Sequence, residues 1–357
     1  MRSKTLLSQP GQGVVNMGAT LGLGNGFLHI KDLQKLFALR GGFIDSLLGR
    51  TQSVVRAVDG VDLTVSPGEI LGLVGESGSG KTTLGRLVAM LDRPTSGSIE
   101  FRERDIAQLS RAEVWQLRRD IQMIFQNPYE SVDPRYTIAG WLAEPLRLLR
   151  ITSASEYRDR ILEVLSQVEL RPAESFLDRY PHELSGGQRQ RVCIARAAIV
   201  KPKLMIADEP VSMLDVSVRS GLMKLMLDMR NELGMAFIYI THDLAVARYM
   251  SDRIAVMYLG KIVELGPVDE VIEKPAHPYT KILMSAVPEP RPGRSRRRAN
   301  LKGEAASIKE IPGGCRFHPR CPMVQPKCEE EEPPFVTVDK DRESACHFSA
   351  QLLNGAM

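Results

Sequence analysis

The segment that constrains this chain most is Gly75-Glu76-Ser77-Gly78-Ser79-Gly80-Lys81-Thr82. It fits the pattern G-x-x-x-x-G-K-[ST] and lies between a short apolar run, residues 69–74, and a helix-like segment, residues 81–91. Strand, glycine loop and helix in that order build a phosphate site. Glycines let backbone N–H groups converge on phosphate oxygens, and the helix N-terminus adds a favourable field. In such a loop Lys81 reaches the terminal phosphates and the Thr82 hydroxyl ligates Mg²⁺.

A second apolar run, residues 204–207, ends at Asp208-Glu209, and a third, residues 236–240, ends at Thr241-His242-Asp243. Runs apolar on both faces that end in polar groups predict a parallel sheet with its ligand at the carboxyl edge. Asp208 is placed to complete a Mg²⁺ shell, and Glu209 beside it to polarise an attacking water. No guanine-reading N-K-x-D follows, so ATP is the expected nucleotide.

The long stretch between the first and second runs reads as helical, residues 157–168 for example, and predicts an inserted helical subdomain over about 127–195. Residues 28–266 form one ATP-binding domain on this reading. Residues 1–27, rich in Gly, Gln and Ser, read as a loose tail, with loops near Gly41-Gly42 or Arg50-Thr51. Residues 254–264 read as a hairpin. Residues 267–357 are an extension that includes a basic, Pro-rich linker at 290–298.

At 357 residues with a net charge of +4, the chain requires no nucleic-acid partner. No apolar run approaches the ~18–20 residues of a spanning helix, and Gln9, Pro10, Gln12 and Asn16 break any export signal. A role at a membrane therefore needs a docked, spanning partner. Of five cysteines, four fall close together as Cys315-x5-Cys321-x6-Cys328-x17-Cys346. Without a signal peptide, such a group suggests metal ligation before disulfides. Four thiolates hold tetrahedral zinc or an iron–sulfur cluster. The spacing matches neither standard zinc-finger signature, and His318 and His347 are candidates to replace a cysteine in a zinc site. Cys193 reads as a packing residue.

Leu184-Ser185-Gly186-Gly187-Gln188-Arg189-Gln190-Arg191 matches the signature of the ABC ATPases. Around it, Gln126 resembles the Q-loop glutamine, Asp208-Glu209 the Walker B acids, Ser212-Met213-Leu214-Asp215 the D-loop and His242 the H-switch. The finer resemblance is to the ATPase subunits of oligopeptide/dipeptide/nickel permeases. Ala57-Val58-Asp59-Gly60-Val61, residues 126–135, His277-Pro278-Tyr279-Thr280 and residues 314–322 carry it. Val211 and Met213 depart from the usual Thr and Ala without removing a catalytic group.

The resemblance implies an α/β fold: a P-loop NTPase, ABC-type nucleotide-binding domain. Its RecA-like core carries an antiparallel β subdomain and an inserted α-helical subdomain, followed by the cysteine-containing C-terminal extension. It implies catalytic roles for Glu209 as base, His242 on the γ-phosphate and Gln126 as the link to Mg²⁺ and the membrane partner. Nucleotide contacts are implied for Phe37 (stacked on adenine), Val58, Gly75, Glu76, Ser77, Gly78, Ser79, Gly80, Lys81, Thr82 and Thr83. Ser185, Gly186, Gly187, Gln188 and Asp215 would act on the ATP of a second cassette, with Thr82, Gln126 and Asp208 around Mg²⁺.

A [4Fe–4S] cluster, with zinc as the alternative, is implied at Cys315, Cys321, Cys328 and Cys346, in a structural role. The implied partners are a related, non-identical ATPase subunit, two transmembrane permease subunits and an extracytoplasmic solute-binding protein. The implied location is the cytoplasmic face of the membrane, and the solute a peptide, nickel or an oligosaccharide. Rival readings are an ABC ATPase acting on DNA or ribosomes, for which long coiled-coil insertions or a second cassette are missing, and a non-hydrolysing regulatory half, against which Glu209 and His242 stand.

Overall fold

The computed structural model describes residues 27–38, 54–285 and 311–355. All but the last residue of the tail expected at 1–27, the loops expected at 41–42 or near 50–51 and the basic linker at 290–298 lie outside them. Six strands come first: β1 (Leu28–Ala38), β2 (Val54–Val65), β3 (Ile70–Val74), β4 (Ser96–Phe101), β5 (Arg104–Asp105) and β6 (Ile121–Ile124). Six follow: β7 (Leu204–Asp208), β8 (Ala236–Thr241), β9 (Arg253–Tyr258), β10 (Lys261–Pro267), β11 (Val336–Asp339) and β12 (Arg342–Ser344).

They form two sheets, in the orders β2-β1-β4-β5 and β11-β12-β10-β9-β3-β8-β7-β6. In the larger sheet β9, β3, β8, β7 and β6 are parallel neighbours. Every residue of β3, β7 and β8 is buried, which is why these strands carry apolar runs instead of alternation. Helices cover both faces. Leu84, Leu87 and Val88 of the helix Lys81–Val88 join the core shared with the smaller sheet. Trp141, Ile161 and Val192, from three helices of the insert, pack on Met205, Phe237 and Tyr239 on the other side.

The stretch before the second buried run is not all helical. Its first part supplies β4 and β5 to the small antiparallel sheet and β6 to the edge of the large one. Only after β6 do the insert's helices begin, with Pro128–Ser131, Ile138–Leu148, Tyr157–Gln167 and Gly186–Ala198. The helix Lys81–Val88 also stops earlier than expected, with Met90 in a left-handed turn at φ 52°.

The hairpin β9–β10 is present, and the extension does not stand apart from it. β12 pairs with β10 and brings β11 into the cassette's own sheet. Fully buried Glu264 on β10 accepts hydrogen bonds from Arg342 Nη2 at 2.7 Å, Ala276 N at 2.8 Å and His277 N at 3.1 Å. A buried pair of this kind holds only because every charge is met. Phe317 of the extension sits with Val74, Val256, Tyr258 and Tyr279 in one core. The fold thus sets the extension against the end of β3 from which the glycine loop departs.

Candidate functional site

The loop Gly75–Gly80 turns from β3 into the helix Lys81–Val88, with Gly80 at the cap in a φ of 109°. Lys81 is 5% exposed and folds back over the loop. Its ammonium donates to Gly75 O at 2.8 Å, Glu76 O at 2.8 Å and Ser79 Oγ at 3.3 Å. Burial holds this amine below its ordinary range, against the opposing pull of Glu209, Asp208 and Glu76. A cation so sparsely hydrated exchanges carbonyl partners for phosphate oxygens at small cost.

Ser77, Gly78, Gly80, Lys81, Thr82 and Thr83 line one open cleft with Phe37, Gln126 and Glu209. Phe37, near the end of β1, is 40% exposed, with Lys35 Nζ 5.0 Å over its ring. It presents the flat, half-uncovered aromatic face that stacking on a base requires. Val58 does not join it: this residue is fully buried in the core, and Val55 and Ala57 line the cleft instead. Val55 is the cross-strand partner of Phe37. Glu76 is also turned away. Its N–H donates to Tyr279 Oη at 2.8 Å instead of remaining free for a phosphate.

The acids at the end of β7 divide their work. Asp208 is 4% exposed, and burial pushes its carboxyl above the usual range, opposed by a hydrogen bond with the Thr82 hydroxyl. A buried carboxylate meeting a hydroxyl, with the Gln126 side chain in the same cleft, is a set of hard oxygen donors suited to Mg²⁺. Glu209 sits in the left-handed region at φ 46°, a conformation that costs a non-glycine residue about 1–2 kcal/mol. That turn brings its carboxylate between two partners. Gln126 Nε2 donates to Oε2 at 3.0 Å, and His242 Nδ1 lies 2.9 Å from Oε1. Two side chains, one from the loop after β6 and one just beyond β8, therefore converge on the carboxylate that follows β7.

Ser185 caps the helix Gly186–Ala198, accepting from Gln188 N at 3.3 Å, while its own N–H donates to Gln188 Oε1 at 3.1 Å. None of Ser185, Gly186, Gly187 or Gln188 lines the Lys81 cleft. Gly187 is required for packing as well as for approach, since a Cβ there would fall 2.7 Å from Val218 Cγ1. Asp215, exposed, caps the helix Val216–Leu233 without a side-chain bond.

Cys315, Cys321, Cys328 and Cys346 line a single small cavity together with His318 and His347. All four are free thiols. Burial pushes Cys315 up to about 11 and Cys346 up to about 12. Among the described residues, no three His, Cys, Asp or Glu side chains close on a point as they would around one metal ion. His318 Nδ1 donates to Cys315 O at 2.9 Å and His347 Nε2 to Glu331 O at 3.1 Å, so each ring has one nitrogen committed to backbone. Cys193 is buried in the helical insert's core, as its lone position suggested.

The family model for the ABC transporter matches residues 58–212, and that for the oligopeptide/dipeptide transporter C-terminal region matches residues 263–328. The chain is 44% identical over 324 residues to the oligopeptide transport ATP-binding protein AppF of Bacillus subtilis (strain 168), covering 90% of this chain and 97% of that one. The chain is a member of the oligopeptide/dipeptide ABC transporter ATP-binding family. This ATPase subunit is also 45% identical over 309 residues to the oligopeptide transport ATP-binding protein OppF of Salmonella typhimurium (strain LT2), covering 86% of this chain and 91% of that one. Among solved structures it resembles the ATP-binding cassette MJ0796, a dimer bound to ADP and Pi, with a TM-score of 0.59 at 30% identity over 68% of this chain and 98% of that one. No described helix is long and apolar enough to cross a membrane.

Proposed function

We propose that this subunit powers import of oligopeptides or dipeptides, hydrolysing ATP in a site that a second cassette completes. The relatives' names supply the solute class. The observation that carries the reading is the convergence of Gln126, Glu209 and His242 beside the Lys81 loop, a base with two orienting partners at the mouth of a phosphate cradle. Glu209 takes the proton of the attacking water, and Gln126 and His242 fix its carboxylate. Mg²⁺, held by Thr82, Asp208 and Gln126, would neutralise phosphate charge. Because Ser185–Gln188 lies outside this chain's own cleft, its capped helix end serves the ATP of a companion. The companion is a related, non-identical ATPase, and the pair docks on the cytoplasmic face of two transmembrane permease subunits fed by an extracytoplasmic binding protein.

Lys81→Ala removes the buried ammonium that folds over the cradle. Charge-assisted hydrogen bonds are worth about 1.5–3 kcal/mol each, so the ATP Kd is expected to rise at least about tenfold in fluorescent-nucleotide titrations. Unchanged affinity would remove the phosphate-cradle assignment.

The four cysteines are read here as ligands of a [4Fe–4S] cluster that pins the extension. Four cysteines lining one shared cavity are a donor set that a [4Fe–4S] cluster would take. Burial raises the Cys315 and Cys346 thiols, so a positively charged iron core is what would let them ionise. Anaerobically purified protein is expected to be brown and to carry about four iron atoms per chain. Colourless protein containing zinc would overturn this reading.

A further inference from the structure

Glu76 places a carboxylate in the phosphate loop, where a triphosphate would repel it. The structure answers that charge from the far end of the chain. Arg320 Nη1 donates to Glu76 Oε2 at 2.8 Å and Nη2 to Oε1 at 2.9 Å, a two-pronged fork. The Arg320 side chain is 5% exposed and that of Glu76 26%. The guanidinium also lies 5.9 Å from the Tyr258 ring centre, with Nη1 3.4 Å from Tyr258 Oη. Arg320 ends the turn His318–Arg320, between Cys315 and Cys321, and its N–H donates to Phe317 O at 3.0 Å. Phe317 is wedged against Tyr258 and Tyr279 at ring separations of 5.3 and 5.4 Å. Tyr279 in turn receives the Glu76 N–H. Two side chains of the C-terminal extension thus hold both the backbone and the charge of one loop residue.

We propose that Arg320 is a positioning residue for ATP, masking the Glu76 carboxylate so that the phosphate loop presents net positive potential to the nucleotide. The inference rests on Gly75–Thr82 being the phosphate loop. The extension is then a component of the nucleotide site, and whatever fixes the cysteine-lined turn fixes the Arg320 fork as well.

The test is a double-mutant cycle on ATP affinity, measured in the full chain assembled with its companion subunits. Arg320→Ala uncovers a negative charge in the phosphate loop itself and is expected to raise the ATP Kd about tenfold. The loss falls on KM for ATP more than on kcat, and shrinks as added salt screens the carboxylate. Arg320→Ala combined with Glu76→Gln removes the repelling charge and is expected to bring Kd back to within about threefold of the parent. Glu76→Gln alone leaves the Arg320 cation beside the triphosphate and is expected to tighten binding severalfold. This single variant decides the matter even if Arg320→Ala fails to fold.

A double variant as weak as Arg320→Ala, or a Glu76→Gln variant that weakens binding, would reduce Arg320 to a structural brace and overturn the proposal. So would parental affinity in Arg320→Ala. Lys81→Ala separates the two levels: normal ATP binding there removes the phosphate loop itself, whereas weak binding there beside parental binding in Arg320→Ala removes the masking role alone.

Discussion

Glu209→Gln is expected to trap ATP without turning it over: nucleotide affinity stays near the parental value while steady-state phosphate release falls about 10²–10⁴-fold. The substitution preserves shape and leaves an amide where the carboxylate stood, so the hydrogen bonding that holds Gln126 and His242 around position 209 is only partly rearranged. The phosphate contacts proposed above are those of Lys81, the loop amides and Thr82, none of which it replaces. What disappears is the carboxylate assigned to accept water's proton, a task the amide that replaces it cannot perform. Phosphate release by the complex reconstituted with its permease subunits reads the rate, and retention of ATP in the closed pair reads binding. Turnover within threefold of the parent would assign the base elsewhere.

The parts of this site that sequence exposes are those whose chemistry is local. The glycine loop, the acids after residues 204–207 and the His after residues 236–240 each follow a buried strand, because a strand apolar on both faces leaves nowhere but its end for a polar group. All of them arrive at the same edge of the sheet. Val58 is buried instead of lining the cleft, in a hairpin where β1 and β2 slip register three times, between Ile30 and Leu33, Leu33 and Gln34, and Lys35 and Leu36. Each irregularity resets which face a side chain takes, so alternation cannot be carried along the hairpin. The short strands β5 and β6 were hidden for a different reason. β5 has two residues and β6 four, too few for a period to register against helical neighbours.

Distance hides the rest. Arg342 meets Glu264 across 78 positions and Arg320 meets Glu76 across 244. An arginine beside a cysteine, or a glutamate among glycines, carries no local mark of its partner. Tyr279 was legible as part of a motif, but its hydroxyl's role as acceptor for the phosphate loop was not. Fold and candidate catalytic carboxylate are thus readable from short-range pattern, and the contact of the extension with the glycine loop is a property of packing.

Gly80→Ala is expected to cost most of the nucleotide affinity while leaving the remainder of the domain folded. At φ 109° the cap residue occupies a conformation that an L side chain resists, and it does so at the point where the loop hands over to the helix Lys81–Val88. Space is the second obstacle. A Cβ on Gly80 would lie 2.2 Å from Ala57 O and 2.8 Å from Met257 Cε. The methionine tip can swing aside, but the Ala57 carbonyl belongs to β2, which also carries Val55 at the adenine side of the cleft. Relief therefore requires that the loop lift away from β2, moving the amides and Lys81 together. Strain and overpacking of this kind amount to about 2–4 kcal/mol, or roughly a 30- to 1,000-fold rise in ATP Kd. Gly78 supplies the comparison, because its φ of 78° is also left-handed but a Cβ there meets nothing within 4 Å. Gly78→Ala is expected to weaken binding by less than about tenfold, from strain of about 1 kcal/mol alone. Titrating both variants with a fluorescent ATP analogue, beside thermal unfolding of each, separates close approach from backbone strain. Equal losses in the two would mean that conformation, not contact with β2, shapes the cradle.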